Sequence, residues 1–154
     1  MTLSIGDKAP DFELLGNGGD NIQLSKFKGK NIVLYFYPKD DTPGCTTEAK
    51  DFTSLNADFT AANTVVIGMS KDTAAKHDKF IAKHDLSVLL ASDEDGSVLE
   101  QYGVWVEKKM YGRTYMGIQR ATFLIDKDGI VQGIWPKVKV KGHAEDVLSK
   151  AKEL

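Results

Sequence analysis

An internal disulfide is impossible here, because the 154 residues include one cysteine, Cys45. That absence excludes an oxidoreductase that cycles its own pair of cysteines. A lone thiol also fits the reducing cytoplasm. Charge of one sign is lacking as well: 20 basic residues face 22 acidic ones, for a net charge of −2. This gives no electrostatic reason to expect nucleic acid or an anionic membrane as partner. The longest apolar runs, residues 32–37 and 64–69, fall far short of the roughly 20 residues of a membrane helix. The start, Met1-Thr2-Leu3-Ser4-Ile5-Gly6-Asp7, lacks the charged-then-apolar pattern of a leader. Arginine is scarce: only Arg113 and Arg120 occur, so 18 of the 20 basic residues are lysines. No repeat, low-complexity tract or linker interrupts the chain. With 42% hydrophobic and 27% charged residues, it has the make-up of one globular domain spanning residues 1–154.

The elements follow from pattern. Residues 12–14 and 22–24 alternate apolar with polar around Gly16-Asn17-Gly18-Gly19-Asp20, which predicts an N-terminal hairpin. Residues 32–37 form a continuous apolar run, as a strand covered on both faces should. Pro38 and the Lys-Asp-Asp-Thr-Pro-Gly that follows end it. Cys45, Ala49, Phe52, Leu55, Phe59 and Ala62 then recur at steps of three and four, predicting one long helix. Thr42 suits its N-cap and Pro43 its first position. Residues 64–69 read as a second buried strand. A helix follows from Asp72 or Thr73 to about His84, then a strand at 88–90 and a short helix at 96–102. Residues 103–117 show no period and read as an extended loop. Strands at 122–125 and 130–135 flank Asp126-Lys127-Asp128-Gly129, a hairpin signal, and a helix over 143–152 closes the chain. Strand–helix–strand crossovers demand parallel pairing and the hairpin adds antiparallel strands. The expected architecture is α/β: a mixed central sheet flanked by helices, with an N-terminal β-hairpin extension. A thioredoxin-like fold has this arrangement, and so do other α/β sandwiches.

Chemistry concentrates at Cys45. Cysteine attacks as its thiolate, and the first turn of a helix favours an anion. The neighbouring Asp40, Asp41 and Glu48 outnumber Lys39 and oppose one, so a reactive thiol here needs a cation from elsewhere. Arg120 precedes the strand at 121–125, which in a central sheet can lie beside residues 32–37. Its guanidinium would stay charged there and could contact a thiolate through several donors. The competing reading is an inert core cysteine, which a place on the apolar stripe fits equally well.

Residues 35–52, Tyr-Phe-Tyr-Pro-Lys-Asp-Asp-Thr-Pro-Gly-Cys-Thr-Thr-Glu-Ala-Lys-Asp-Phe, resemble the active-site segment of peroxiredoxins of the bacterioferritin comigratory protein (PrxQ) subgroup. Pro38, Thr42 and Cys45 meet the pattern Pro-x-x-x-Thr-x-x-Cys. The resemblance extends to residues 6–12 and to Arg120-Ala121-Thr122-Phe123-Leu124-Ile125-Asp126 with the Asp128-Gly129 turn. It implies a thioredoxin-like fold and a thiol-dependent peroxidase acting on hydrogen peroxide and small organic hydroperoxides, without metal, haem or flavin. Cys45 would attack the peroxide and become a sulfenic acid. Thr42 would hold the peroxide, Pro38 shield the site, Arg120 stabilise thiolate and transition state, and Glu48 orient Arg120. Many members carry a resolving cysteine five residues after the first, where this chain has Lys50. The sulfenic acid would then be reduced by an external thiol of thioredoxin, glutaredoxin or glutathione type, and the protein is expected to be a monomer. A second reading is a redox sensor or binding protein on the same fold, oxidised without efficient turnover.

Other candidates carry less. His77 and His84 lie about 10.5 Å apart along a helix, too far to share one metal ion, and read as surface residues on a lysine-rich face. His143 reads as a helix-start residue. Lys137, Lys139 and Lys141, alternating with Val138 and Val140, read as a solvated edge strand. Trp105, Tyr111 and Tyr115 fall in the expected loop and suit substrate contact or packing. Gly16-x-Gly18-Gly19 is a turn with no phosphate site implied.

Overall fold

A computed structural model describes residues 3–154; Met1 and Thr2, at the start of the segment read for a leader, lie outside the described residues. The N-terminal hairpin pairs β1 (Glu13–Leu15) with β2 (Asn21–Gln23). The central sheet begins with β3 (Asn31–Phe36), every residue of which is buried. It continues through β4 (Thr64–Ser70), β5 (Leu89–Ser92), β8 (Ala121–Ile125) and β9 (Val131–Trp135), in the spatial order β5-β4-β3-β8-β9. β3, β4 and β5 are parallel neighbours, while β8 and β9 run antiparallel. The crossovers and the Asp126–Gly129 turn thus place parallel and antiparallel pairing where the element order requires it.

Alternation along β3 separates two cores. Ile32, Leu34 and Phe36 face the N-terminal hairpin together with Leu99 and Tyr102, in and just after α4 (Ser97–Gln101). Val33 and Tyr35 face the other side, with Phe52 of α1 (Pro43–Ser54), Phe59 of α2 (Asn56–Ala61), Phe80 of α3 (Ala74–His84) and Val147 of α5 (His143–Ala151). Helices therefore cover both faces of a mixed sheet. Among the described residues, no helix is long and apolar enough to cross a membrane.

Four expectations are corrected. The long helix after Cys45 divides at Leu55 (φ −98°, ψ 3°). Thr53, Ser54 and Asn56 are weak helix formers, and Asn56 turns its amide to Ser87, 3.0 Å from Oγ. The loop expected at 103–117 is instead a ribbon of β6 (Trp105–Met110) and β7 (Arg113–Ile118). Tyr111 and Gly112 both take positive φ (52° and 77°), as a two-residue hairpin turn requires. The edge strand expected around Lys137–Lys141 does not form. Pro136, which lacks an N–H, ends β9, and the segment bends so that the Val138 amide donates to Arg120 O (3.0 Å). His77, expected at the surface, is fully buried, and His84 keeps only 16% of its side chain exposed. They share one stripe of α3 with Phe80, whose ring meets that of His84 edge-on at 5.5 Å.

Gly68 in β4 packs tightly against two core side chains. A Cβ there would stand 2.7 Å from Tyr35 Cζ and 2.8 Å from Leu90 Cδ2. Gly68→Ala should therefore destabilise the protein by about 1–3 kcal/mol through overpacking. Urea unfolding checks this, and an unchanged midpoint would contradict the packing described.

Candidate functional site

Two neighbouring strands bring the site's thiol and guanidinium together. Phe36 pairs with Ala121 across β3 and β8, so Arg120 emerges where the chain leaves β3 for the loop at 37–42. Thr42 is the N-cap residue of α1 and Pro43 its first helical residue. The Thr42 hydroxyl does not cap the helix, however; it donates to Lys39 O (2.8 Å). Thr46 N–H makes the first backbone bond of the helix, to Thr42 O (2.8 Å). The amides of Gly44 and Cys45 are left at the open helix end, where partial positive charge collects.

Cys45 is 1% exposed and Arg120 Nη2 donates to its Sγ at 3.3 Å. The other guanidinium nitrogen, Nη1, donates to Glu48 Oε1 at 2.7 Å. Glu48 follows Cys45 by three residues and so lies on the same helix face. One guanidinium thereby spans both side chains. A Cβ on Gly44 would stand 3.2 Å from Arg120 Nη2, so glycine in the first turn leaves the guanidinium its room. That glycine was visible in the sequence, but its purpose depends on a contact 76 residues away.

Burial sets the electrostatics. Desolvation pushes the Glu48 carboxyl up to about 7, although Arg120 pulls the other way. Burial opposes charge on Arg120 too, yet Glu48 and Cys45 beside it outweigh that and raise its pKa. Burial lowers the pKa of the Lys108 ammonium on β6, and the Arg120 charge adds to the effect. Glu48 Oε2 and the Tyr35 hydroxyl are buried without a hydrogen-bond partner among the described residues. His143 packs behind the site: its Nε2 lies 2.8 Å from Thr122 Oγ1, its ring meets Phe52 edge-on, and burial pushes it down to about 4. It is uncharged near neutral pH.

Of the sequence candidates, Cys45, Glu48 and Arg120 are in mutual contact through the guanidinium. Thr42 lies at the helix start with its hydroxyl turned to the loop, and Pro38 is exposed at the start of that loop. Lys50 is exposed. Among the described residues, no group of three or more His, Cys, Asp or Glu side chains could hold a metal ion.

The sequence profile of the AhpC/TSA family matches residues 5–134. Peroxiredoxin Bcp of Bacillus subtilis (strain 168) is 51% identical over 154 residues, covering 100% of this chain and 98% of that one. A putative peroxiredoxin Bcp of Coxiella burnetii is 47% identical over 150 residues, 97% of this chain and 99% of its own. The crystal structure of a Xylella fastidiosa PrxQ variant superposes with a TM-score of 0.94 at 39% identity, over 99% of this chain and 98% of that one. A Xanthomonas campestris bacterioferritin comigratory protein, solved in connection with its alkyl peroxide reduction activity, gives 0.88 at 42% identity, over 92% and 90%. Likeness of this extent, in both sequence and fold, leaves no part of the domain unaccounted for: the chain belongs to the AhpC/TSA family and is a peroxiredoxin of the Bcp (PrxQ) group.

Proposed function

We propose that this peroxiredoxin reduces hydrogen peroxide and small alkyl hydroperoxides through Cys45 and is returned to the thiol by an external reductant. The observation that carries the reading is the 3.3 Å contact between Arg120 Nη2 and Cys45 Sγ, with the guanidinium held by Glu48. The sulfur anion attacks the terminal peroxide oxygen. A sulfur–oxygen bond forms, the oxygen–oxygen bond breaks, and the departing oxygen leaves as alcohol or water after taking a proton. Negative charge moves from sulfur toward that oxygen, so donors around both atoms stabilise the transition state beyond the ground state. Arg120 supplies fixed charged donors, and the Gly44 and Cys45 amides add dipoles of the same sense. Thr42 is three residues from the sulfur, and its hydroxyl would exchange the Lys39 carbonyl for peroxide. Pro38 would shield the approach from water.

The Cys45 sulfenic acid has no second sulfur in the chain to meet. One external thiol would displace its hydroxyl as water to give a mixed disulfide. A second thiol then releases Cys45 and leaves as disulfide. A protein thiol of thioredoxin or glutaredoxin type, or glutathione, meets this chemistry. The proposal is completed by a monomeric enzyme in the cytoplasm, whose reducing conditions a lone thiol suits.

Wild type should consume peroxide catalytically with excess dithiothreitol, while Cys45→Ser should not; equal consumption by both would contradict the assignment. Peroxide in excess over thiol should carry Cys45 to sulfinic acid, because nothing nearby traps the sulfenic acid. Intact-mass spectra check this, and a protein that stops at a gain of one oxygen would count against it. Glu48 predicts a pH dependence of stability. Its carboxyl titrates near 4.5 when exposed and at about 7 when folded, so between those values the folded state holds more protons. Stability then falls as pH rises through that window, by about 3 kcal/mol for a shift of this size. Glu48→Gln should flatten the slope in urea melts; an unchanged slope would place the titration elsewhere.

A further inference from the structure

Asp40 is the one buried residue of the loop at 38–42 that leads to Cys45; Pro38, Lys39 and Asp41 are exposed and Thr42 is half-buried. Its carboxylate accepts from the Tyr37 hydroxyl (2.5 Å) and lies 2.7 Å from His77 Nδ1. Its amide donates to Asp72 Oδ2 (2.8 Å), which also accepts from Ser70 Oγ (2.7 Å). His77 in turn has its Nε2 3.0 Å from Ala91 O on β5. A carbonyl only accepts, so Nε2 carries a proton, and a further proton must lie between Nδ1 and the Asp40 carboxylate. The arrangement is a charge-assisted bond between two buried side chains. It ties the loop through α3 to the far side of the sheet.

The next residue explains the need for such a tie. Asp41 adopts φ 61°, a left-handed conformation that a non-glycine residue holds only when its surroundings over-determine it. Its own side chain bonds the exposed Lys83 (2.7 Å) and the half-buried His84 (2.8 Å), but the Asp41 carboxylate itself stands in solvent, where such pairs are screened. The buried bond one residue earlier is the firmer anchor. Immediately after Asp41 come Thr42 and the first turn of α1, so the conformation at 40–41 sets the direction in which Cys45 meets Arg120.

We propose that His77 and Asp40, which touch neither peroxide nor sulfur, are positioning residues for the peroxidase reaction: their buried bond fixes the loop that aims Thr42 and Cys45 at Arg120. This rests on the reading of Cys45 as the peroxide-reactive thiol. The test is the rate of Cys45 oxidation by hydrogen peroxide in single-turnover stopped flow, scaled to the folded fraction. Wild type is compared with His77→Gln, His77→Asn and Asp40→Asn, each with its urea midpoint. The asparagine amide falls near the position of Nδ1 and keeps a donor to Asp40; the glutamine amide reaches toward Ala91 O and does not. His77→Gln and Asp40→Asn should lower the rate about tenfold to hundredfold, the scale set by misplacing a reacting group, and His77→Asn should recover most of the loss. Reduction of the oxidised enzyme by dithiothreitol should be unaffected. Rates within about twofold of wild type in His77→Gln and Asp40→Asn would overturn the proposal. So would equal losses in both His77 variants that follow their loss of stability, which is the mark of a merely structural histidine. Should His77→Gln not fold, Asp40→Asn decides alone by the same criterion. A wild type that leaves peroxide untouched would instead overturn the reading of Cys45.

Discussion

A guanidinium held between a sulfur and a carboxylate is costly to bury, and much of this structure can be understood as the means of burying it. Arg120 reaches Cys45 at 3.3 Å only because β8 lies directly beside β3 and because α1 begins where β3 has ended. Glu48 at 2.7 Å compensates the cation that the sulfur alone would leave poorly paired. Its own pKa of about 7 shows how strongly the surroundings resist the charge. Gly44 contributes by carrying no side chain where the guanidinium passes. The aromatic core beneath, with Tyr35 stacked on Phe52 at 4.7 Å, floors the site with fully buried rings. In such surroundings fixed donors act far more strongly than they would in water.

The absence of a second cysteine bears on this geometry. An enzyme that joins two of its own sulfurs must bring their Cα atoms within about 7 Å of each other. In the proposed cycle the second sulfur arrives from outside, so α1 needs only to let a thiol in. The buried ties at Asp40 and His77 fit a loop built to stay in place. Glu48 and Asp40 show two uses of a buried carboxylate within nine residues, one to hold a cation and one to hold a backbone.

The sequence made legible whatever depended on local pattern. The apolar run of β3, the position of the helix start at Thr42–Pro43 (though not the hydroxyl cap) and the Asp126–Gly129 turn all appear as expected, and the position of Arg120 before β8 follows once β3 and β8 are neighbours. What escaped was decided by contacts distant in sequence or by missing contrast between faces. β6 and β7 carry mostly exposed residues on both sides, so no alternation marks them, and the Tyr111–Gly112 turn lacks the asparagine or aspartate that signals a hairpin. His77 looked like a surface residue because lysines surround it. Its spacing of three from Phe80 was the available sign of burial, and its partner Asp40 lies 37 residues earlier in a loop. The long apolar stripe after Cys45 continues through Leu55 although the helix does not, because periodicity records which side is buried and is blind to a local break.

The contact between Arg120 and Cys45 is the central claim, and the peroxide rate of an Arg120 variant tests it most directly. Reduced wild type and Arg120→Gln would be mixed with hydrogen peroxide under single-turnover conditions, with folding checked by circular dichroism. The account predicts a rate lower by about a hundredfold or more, the scale of losing a preorganised donor to a developing anion. A folded Arg120→Gln protein oxidised at the wild-type rate would contradict it and would leave the helix start as the sole source of Cys45 reactivity.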